Sequence, residues 1–374
     1  MSGFAPPPLV WETLGDIKAA ADRFPGGSID LTIGTPTDPP APAVVAALGS
    51  SDQERGYPPS IGTVELREAA SAWMARRLGA TVPADQIAVT IGSKELVAGV
   101  PQWLHLRRPD RDTVLYPSIS YPTYAMGATL ASLRSVPVGV TETGALDLAS
   151  IDADDAARAL CLWSNSPGNP TGALDDLEAA ARWGRERDIP VLSDECYAEL
   201  TWQGAARTIL EHGPDGVLAV HSLSKRSNLA GVRCGFYAGD AELVAFLSQI
   251  RKHAGFMVPG PVQAAAVVAL RDDAHVDEQR ARYRRRLDVM VDALQACGFD
   301  VDLPGGAFYL WVPALDGDGA QLTRWFATET GVLVTPGETY GSDGAGHVRL
   351  ALVQPDADID EAARRLRAVG AGPQ

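Results

Sequence analysis

Between residues 86 and 253, short runs of apolar and often β-branched residues alternate with longer stretches of helical periodicity. No other feature of the chain limits its fold so strongly. Gln86 to Ile91, Thr113 to Tyr116, Arg134 to Val140, Ala159 to Ser164, Pro190 to Ser193 and Val217 to His221 read as short buried strands. Val64 to Leu78, Lys94 to Leu106, Tyr121 to Leu130, Leu174 to Arg187 and Ala241 to His253 read as helices. Short apolar strands separated by helices predict an α/β domain with a mostly parallel central sheet. After about residue 265 the pattern changes: a long helix over Val276 to Ala296, a strand at Phe308 to Val312, a helix near Gln321 to Thr330, and strands around Gly331 and Val348. That is the pattern of a smaller α+β domain. The expected division is a large domain over 41–268, with 1–40 and 269–374 forming an N-terminal arm and the small domain. No Ser- or Pro-rich tether separates them, so the boundary falls inside or next to the long helix.

Composition narrows the partners. The chain has 374 residues, 46% of them hydrophobic, enough to bury a large core. Its 32 Lys and Arg against 47 Asp and Glu give a formal net charge of -15, which repels nucleic acids and anionic membranes. No apolar run approaches the roughly 20 residues of a membrane span. The N-terminus, with Pro6, Pro7 and Pro8, has no basic-then-apolar leader pattern, so a soluble cytoplasmic protein is expected. Cys161, Cys196, Cys234 and Cys297 are widely separated, so reduced, buried thiols are expected and no metal site.

The chemistry sits where strands end. Ser222-Leu-Ser-Lys225 follows one strand, with Arg233 eight positions after the lysine. A lysine beside another cation and sheltered from water has a lowered pKa and becomes an amine nucleophile toward an aldehyde. Asn165-Ser-Pro-Gly-Asn-Pro-Thr-Gly172 and Ser193-Asp-Glu-Cys-Tyr197 follow two more strands, at the edge where open α/β sheets bind ligands. Asp194 could pair with a protonated ring nitrogen, and Asn169 and Tyr197 could donate to an oxygen on the same ring. Thr90-Ile-Gly-Ser-Lys-Glu95 passes from strand through glycine into helix, so the N–H groups of Ser93 and Lys94 point at an anion. Joined with Ser222 and Arg233 they make a monophosphate site. Tyr121 is placed to lie on a flat aromatic ligand, and Tyr57 is a further phenol within reach of a phosphate. Alone, each has a plainer reading: a turn for Asn-Pro-Thr-Gly, a helix cap for Asp194 or Ser93, core packing for Tyr121.

Together, in order over nearly the whole chain, Tyr57, Gly62, Leu66-Arg67, Gly92-Ser93, Tyr121, Asn169-Pro-Thr-Gly172, Asp194, Tyr197, Ser222, Lys225, Arg233, Pro304-Gly-Gly-Ala-Phe-Tyr309, Pro336-Gly337 and Val348-Arg349-Leu350 resemble the class I/II aminotransferases. The resemblance implies the fold of the fold type I pyridoxal 5'-phosphate-dependent transferases. It implies that Lys225 bonds to the cofactor as a Schiff base and later carries the Cα proton, and that Asp194 keeps the pyridine nitrogen protonated. Asn169 and Tyr197 would hold the ring oxygen, Tyr121 would stack on the ring, and Ser93, Lys94, Ser222 and Arg233 would hold the phosphate. Tyr57 would reach that phosphate from the neighbouring subunit, which implies a homodimer with shared active sites. Arg349 would grip the substrate α-carboxylate, with the Gly34 backbone and Asn169 alongside. Lys94 stands where many relatives have a small or neutral residue.

Gly34-Thr-Pro-Thr-Asp-Pro-Pro40, Gly56-Tyr-Pro58, Trp73 to Arg77 and Pro117-Ser-Ile-Ser-Tyr-Pro122 resemble more closely the actinobacterial N-succinyldiaminopimelate aminotransferases. The expected reaction is amino-group exchange between L-glutamate and N-succinyl-2-amino-6-oxopimelate, on the route to diaminopimelate and lysine. Another amino acid and keto acid pair, or a pyridoxal-phosphate-dependent C–S β-lyase, is the alternative. So long an anionic acceptor needs a second cationic or hydrogen-bonding patch beyond Arg349, for which Lys94, Arg55, Arg251 and Lys252 are candidates. A regulatory cofactor-binding protein would need an attached DNA-binding domain, and about 40 residues before the first motifs are too few for one.

Overall fold

The computed structural model describes residues 4–8, 10–49, 52–370 and 372. Its strands are β1 (Ile29–Asp30), β2 (Ile87–Thr90), β3 (Thr113–Pro117), β4 (Arg134–Val138), β5 (Ala159–Asn165), β6 (Val191–Asp194), β7 (Val217–Ser222), β8 (Gly235–Gly239), β9 (Tyr309–Pro313), β10 (Val332–Leu333), β11 (Thr335–Pro336) and β12 (His347–Ala351). They belong to two compact units, a larger one of Thr35–Arg282 and Pro304–Ala307 and a smaller one of Met1–Gly34, Tyr283–Leu303 and Phe308–Gln374.

The larger unit is built on a seven-stranded sheet in the order β2-β8-β7-β6-β5-β3-β4. From β4 through β7 all neighbours are parallel, and β8 runs antiparallel to both β7 and β2. β8 escapes the periodicity because Gly-Phe-Tyr-Ala-Gly has glycine at both ends and only a short apolar centre. Its direction follows from the connection: after β7 the chain makes only the short helix Leu223–Arg226 and the single turn Ala230–Val232, too little to cross a sheet face and return to the starting edge.

Alternation along each strand divides the apolar side chains between two cores. Leu115, Leu162, Val191, Ala219 and Phe236 pack on one face with Leu66, Trp73, Ala180 and Ala266. Val114, Trp163, Leu192, Val220 and Tyr237 pack on the other with Leu96, Leu104, Tyr124 and Leu247. Side-chain caps fix where several helices begin. The Thr63 hydroxyl accepts from Leu66 N at 3.2 Å ahead of Val64–Arg77, and Asp240 accepts from Leu243 N at 2.9 Å ahead of Ala241–His253. Asp176 accepts from Ala179 N at 2.9 Å, so that helix starts at Leu177 rather than at the expected Leu174. The helix expected from Tyr121 starts at Thr123, with Pro122 at its cap, which leaves Tyr121 outside the helix.

Beneath this sheet lies a buried charge cluster. Glu199, with a side chain only 2% exposed, accepts from Trp73 Nε1 at 3.0 Å and from Arg77 Nε at 2.8 Å, and it also pairs with Arg226, whose side chain is 5% exposed. Arg226 donates as well to Ala269 O at 2.9 Å and Ser227 Oγ at 3.0 Å. Truncating one partner of such a cluster strands the other charge in a dry interior. Glu199→Ala is expected to lower stability by about 3–5 kcal/mol, read as a fall in the denaturation midpoint by tryptophan fluorescence. An unchanged midpoint would refute the role given to this cluster.

In the smaller unit β12 lies between β11 and β9, antiparallel to both, and β1 pairs parallel with β10. The expected helix near Gln321 to Thr330 is the α-helix Gly319–Trp325 continued by one π-helical turn, Phe326–Thr330. Among the described residues no helix is long and apolar enough to cross a membrane.

Candidate active site

The carboxyl edge of the larger sheet gathers the residues singled out by sequence. Thr90 at the end of β2 pairs with Gly235 at the start of β8, and Gly235 pairs with Ser222 at the end of β7. This register brings three segments side by side: Ile91-Gly92-Ser93, Ser222, and Arg233 just ahead of β8. Arg233 donates to Ala230 O at 2.8 Å and to Ile91 O at 3.3 Å. Gly92, at φ 71°, leaves the space its guanidinium fills, since a Cβ there would collide with it. The helix Ser93–Arg107 begins at this point and directs its first N–H groups toward the same edge. Ser222, Ser93 and Arg233 thus form a cradle for a dianion. Lys94 is exposed on the first turn, its ammonium 5.9 Å from the Tyr121 ring centre.

Asp194 ends β6 and is buried. Its carboxylate accepts from Tyr124 Oη at 2.9 Å and from Cys196 N at 3.2 Å. Burial raises its pKa, against the pull of these hydrogen bonds. A carboxylate held this way is built to face a cation. Tyr124 packs against Trp163 with ring centres 5.0 Å apart, and half-buried Tyr121 meets Tyr124 edge-on at 6.0 Å. Burial, with the neighbouring Asp194 charge, holds the phenol of Tyr124 well above its ordinary pKa, so it stays a donor.

Cys196 links the two regions, its Sγ lying 3.3 Å from Ser93 Oγ. Burial and Asp194 push this thiol up, while the nearby charge of Lys225 pulls it down. Lys225 therefore shares the pocket with Asp194 and Ser93, half-buried on the turn of helix that Ser222 caps through Ser224 N at 3.2 Å. Asn165 ties in the loop after β5: its Oδ1 accepts from Asn169 N at 2.8 Å, and its Nδ2 donates to Asp194 O at 2.8 Å. Asn169 and Tyr197 are both buried. Tyr57 is 97% exposed and stands clear of this pocket in its own chain.

In the smaller unit Gly34 and Arg349 come together. Arg349 projects from β12, donates to Thr32 O at 2.5 Å, and has its guanidinium 4.3 Å and 4.9 Å from the ring centres of Tyr309 and Tyr340. A Cβ on Gly34 would strike the Tyr309 hydroxyl, so the backbone runs against that ring. The arrangement suits a fork-like grip on a carboxylate.

Three participants went unseen by sequence reasoning. Tyr124, Asn165 and Cys196 all lay within the motifs that drew notice, yet their contacts depend on strand register; only the three-residue step from Tyr121 to Tyr124 hinted at a shared face. One candidate changes role. Arg251 is buried in an ion pair with Glu95 at 2.6 Å, among Trp103, Tyr237 and Phe256, and is not available to a substrate.

The sequence model of aminotransferase class I and II matches residues 27–366. The chain belongs to this family. Among its relatives, a probable aminotransferase, Rv1178, from Mycobacterium tuberculosis is 42% identical over 96% of this chain and 85% of its own length. The 4-dedimethylamino-4-oxo-anhydrotetracycline transaminase OxyQ of Streptomyces rimosus is 40% identical over 96% of this chain and 99% of its own. An LL-diaminopimelate aminotransferase from Aquifex aeolicus is 34% identical over 91% of this chain and 90% of its own. A solved structure of a probable N-succinyldiaminopimelate aminotransferase from Thermus thermophilus superposes with a TM-score of 0.87 at 31% identity, covering 96% of this chain and 100% of that one. This aminotransferase has the fold type I architecture and depends on pyridoxal 5'-phosphate. The larger unit fits that group: a dianion cradle, a buried carboxylate, and a lysine whose charge acts on Cys196, which touches both.

Proposed function

We propose that this aminotransferase exchanges an amino group between L-glutamate and N-succinyl-2-amino-6-oxopimelate, and that the motif residues perform the roles their chemistry suits. When bound, pyridoxal phosphate supplies an electron sink for the pair of electrons left on the substrate Cα. Ser222, Arg233 and the N–H groups of Ser93 and Lys94 hold its phosphate, and Asp194 holds a proton on its ring nitrogen. Asn169 and Tyr197 donate to its ring oxygen, and Tyr121 covers its face. Lys225 provides the amine that bonds to it, and afterwards carries the proton away from Cα. Arg349, with the Gly34 backbone and Asn169, receives the substrate α-carboxylate. Tyr57, exposed in its own chain, serves the phosphate of a partner subunit in a homodimer.

The observation that carries the substrate assignment is Lys94. Of the four cations weighed for the distal end of a long dianionic substrate, Arg251 is spent on Glu95, and Arg55 lies 3.6 Å from Asp52 at an exposed site. Lys94 alone of these has its ammonium beside the Tyr121 ring. The test is a screen of acceptors with glutamate as donor, alongside Lys94→Ala. Lys94→Ala is expected to raise KM for the succinylated acceptor about tenfold, with a much smaller effect on a monocarboxylic keto acid such as pyruvate. Equal losses on both would remove Lys94 from substrate recognition.

A second reading, with LL-diaminopimelate as the amino donor, is favoured by relatives named LL-diaminopimelate aminotransferase. Turnover of LL-diaminopimelate without turnover of the succinylated acceptor would select it. Pyruvate release from cystathionine with no conversion by glutamate would instead indicate a β-lyase.

A further inference from the structure

The turn Ile91-Gly92-Ser93 joins β2 to the helix Ser93–Arg107, and the anion cradle depends on where that turn sits. Gly92 stands at the cap of the helix and has no side chain to accept from the first turn, so those N–H groups are left to the sheet edge. A carboxylate in the first turn, Glu95, reaches back past them, and its Oε1 accepts from Ile91 N at 2.9 Å. Arg251 then takes both carboxylate oxygens, donating from Nη1 to Oε2 at 2.7 Å and from Nη2 to Oε1 at 2.6 Å. The carbonyl of Ile91 accepts in turn from Arg233 Nη2 at 3.3 Å. Contacts therefore run without a break from Arg251 through Glu95 and Ile91 to Arg233.

Two features set this chain of contacts apart from a fastening between helices. Arg251 comes from the helix Ala241–His253 and is buried, its guanidinium 5.5 Å, 6.0 Å and 5.1 Å from the ring centres of Trp103, Tyr237 and Phe256. Apolar side chains of the same volume would join the two helices as well, since a buried ion pair seldom stabilises more than its apolar replacement. They would take away the acceptor that Ile91 N now has. The second feature is electrostatic. A free carboxylate in a first turn is drawn to the positive end of its helix and competes there with an outside anion. Paired through both oxygens, Glu95 adds no net charge, and the positive end is kept for a dianion.

We propose that Glu95 and Arg251 are positioning residues for the cofactor phosphate. Glu95 fixes the turn through Ile91 N, and Arg251 fixes Glu95 and cancels its charge. Neither side chain is a phosphate ligand; both act through the Ile91 peptide, whose N–H and carbonyl are held from opposite sides by Glu95 and Arg233. This rests on the placement of the phosphate at Ser93, Ser222 and Arg233 proposed above.

The test titrates apoprotein with pyridoxal phosphate and with pyridoxal, which lacks the phosphate, and reads the ratio of the two affinities. Arg251→Met strands the Glu95 carboxylate beside the cradle. It is expected to lower affinity for pyridoxal phosphate at least about tenfold and affinity for pyridoxal less than about threefold. Two double variants carry no charge at either position and keep the comparison available if the single variant does not fold. Glu95→Gln with Arg251→Met retains an acceptor for Ile91 N and should bind pyridoxal phosphate within about threefold of wild type. Glu95→Ala with Arg251→Met removes that acceptor and should lose about tenfold on pyridoxal phosphate only. Parallel losses on both ligands, or equal behaviour of the two double variants, would show packing alone and overturn the proposal. Ser222→Ala tests the cradle separately. A wild-type ratio in that variant would overturn the placement of the phosphate; a lowered ratio there, with a wild-type ratio in the Arg251 variants, would overturn the role of Glu95 and Arg251 alone.

Discussion

Lys225→Ala protein should still bind pyridoxal phosphate and lose turnover by about 10⁴-fold or more. Ser222, Arg233 and the start of the helix Ser93–Arg107 are untouched by the change, so the anion cradle survives. Asp194, with its Tyr124 and Cys196 hydrogen bonds, survives with it. What disappears is the amine assigned to bond with the cofactor and to carry the Cα proton. Lysine does two jobs there that no neighbour can assume: its neutral form is a nucleophile, and its ammonium form returns a proton. Tyr124 and Cys196 are held protonated by burial, and Arg233 cannot give up its proton. Lys225→Arg separates charge from proton transfer, because it restores a cation that never deprotonates, and it should be as inactive as the alanine variant. Cofactor affinity by fluorescence titration and the glutamate half-reaction by absorbance are the measurements. A half-reaction within tenfold of wild type in either variant would remove Lys225 from the chemistry.

Why the sequence disclosed so much of this pocket, and where it stopped, follows from the geometry of parallel sheets. Residues at strand ends fall on one edge whatever the register, so Asn169, Asp194, Ser222 and Lys225 could be read as a group from the positions of β5, β6 and β7 alone. Contacts across strands depend on register. Tyr124 reaches Asp194 across 70 residues, and Ser93 reaches Cys196 across 103. No local pattern encodes such distances. β8 was missed for a local reason, its flanking glycines, although its placement between β2 and β7 brings Arg233 to Gly92. Arg251 shows the converse: an isolated cation in a helix is indistinguishable by sequence from a ligand group until Glu95 is seen beside it.

Asp194→Asn should change stability and catalysis in opposite directions. In the apoprotein the Asp194 carboxylate is buried, and burial raises its pKa against the pull of its Cys196 and Tyr124 hydrogen bonds. A group whose pKa is raised on folding favours the folded state below its unfolded value and disfavours it once both states are ionised, so at neutral pH its charge lowers stability. Asparagine has nearly the same shape and can still accept from Tyr124 Oη, without the charge. The apo variant should therefore unfold at a higher temperature than wild type at pH 7, with the difference shrinking as pH falls toward 4. The half-reaction with glutamate should meanwhile slow by about 10²–10³-fold, because a neutral amide does not hold a proton on the ring nitrogen where negative charge develops. Tyr124→Phe should instead unfold below wild type at pH 7: it removes a hydrogen bond to the charged carboxylate, worth about 1.5–3 kcal/mol, and leaves the charge in place. An Asp194→Asn variant that is slower but no more stable would mean another group neutralises this carboxylate in the apoprotein. One that is more stable yet equally fast would mean that Asp194 does not face the ring nitrogen.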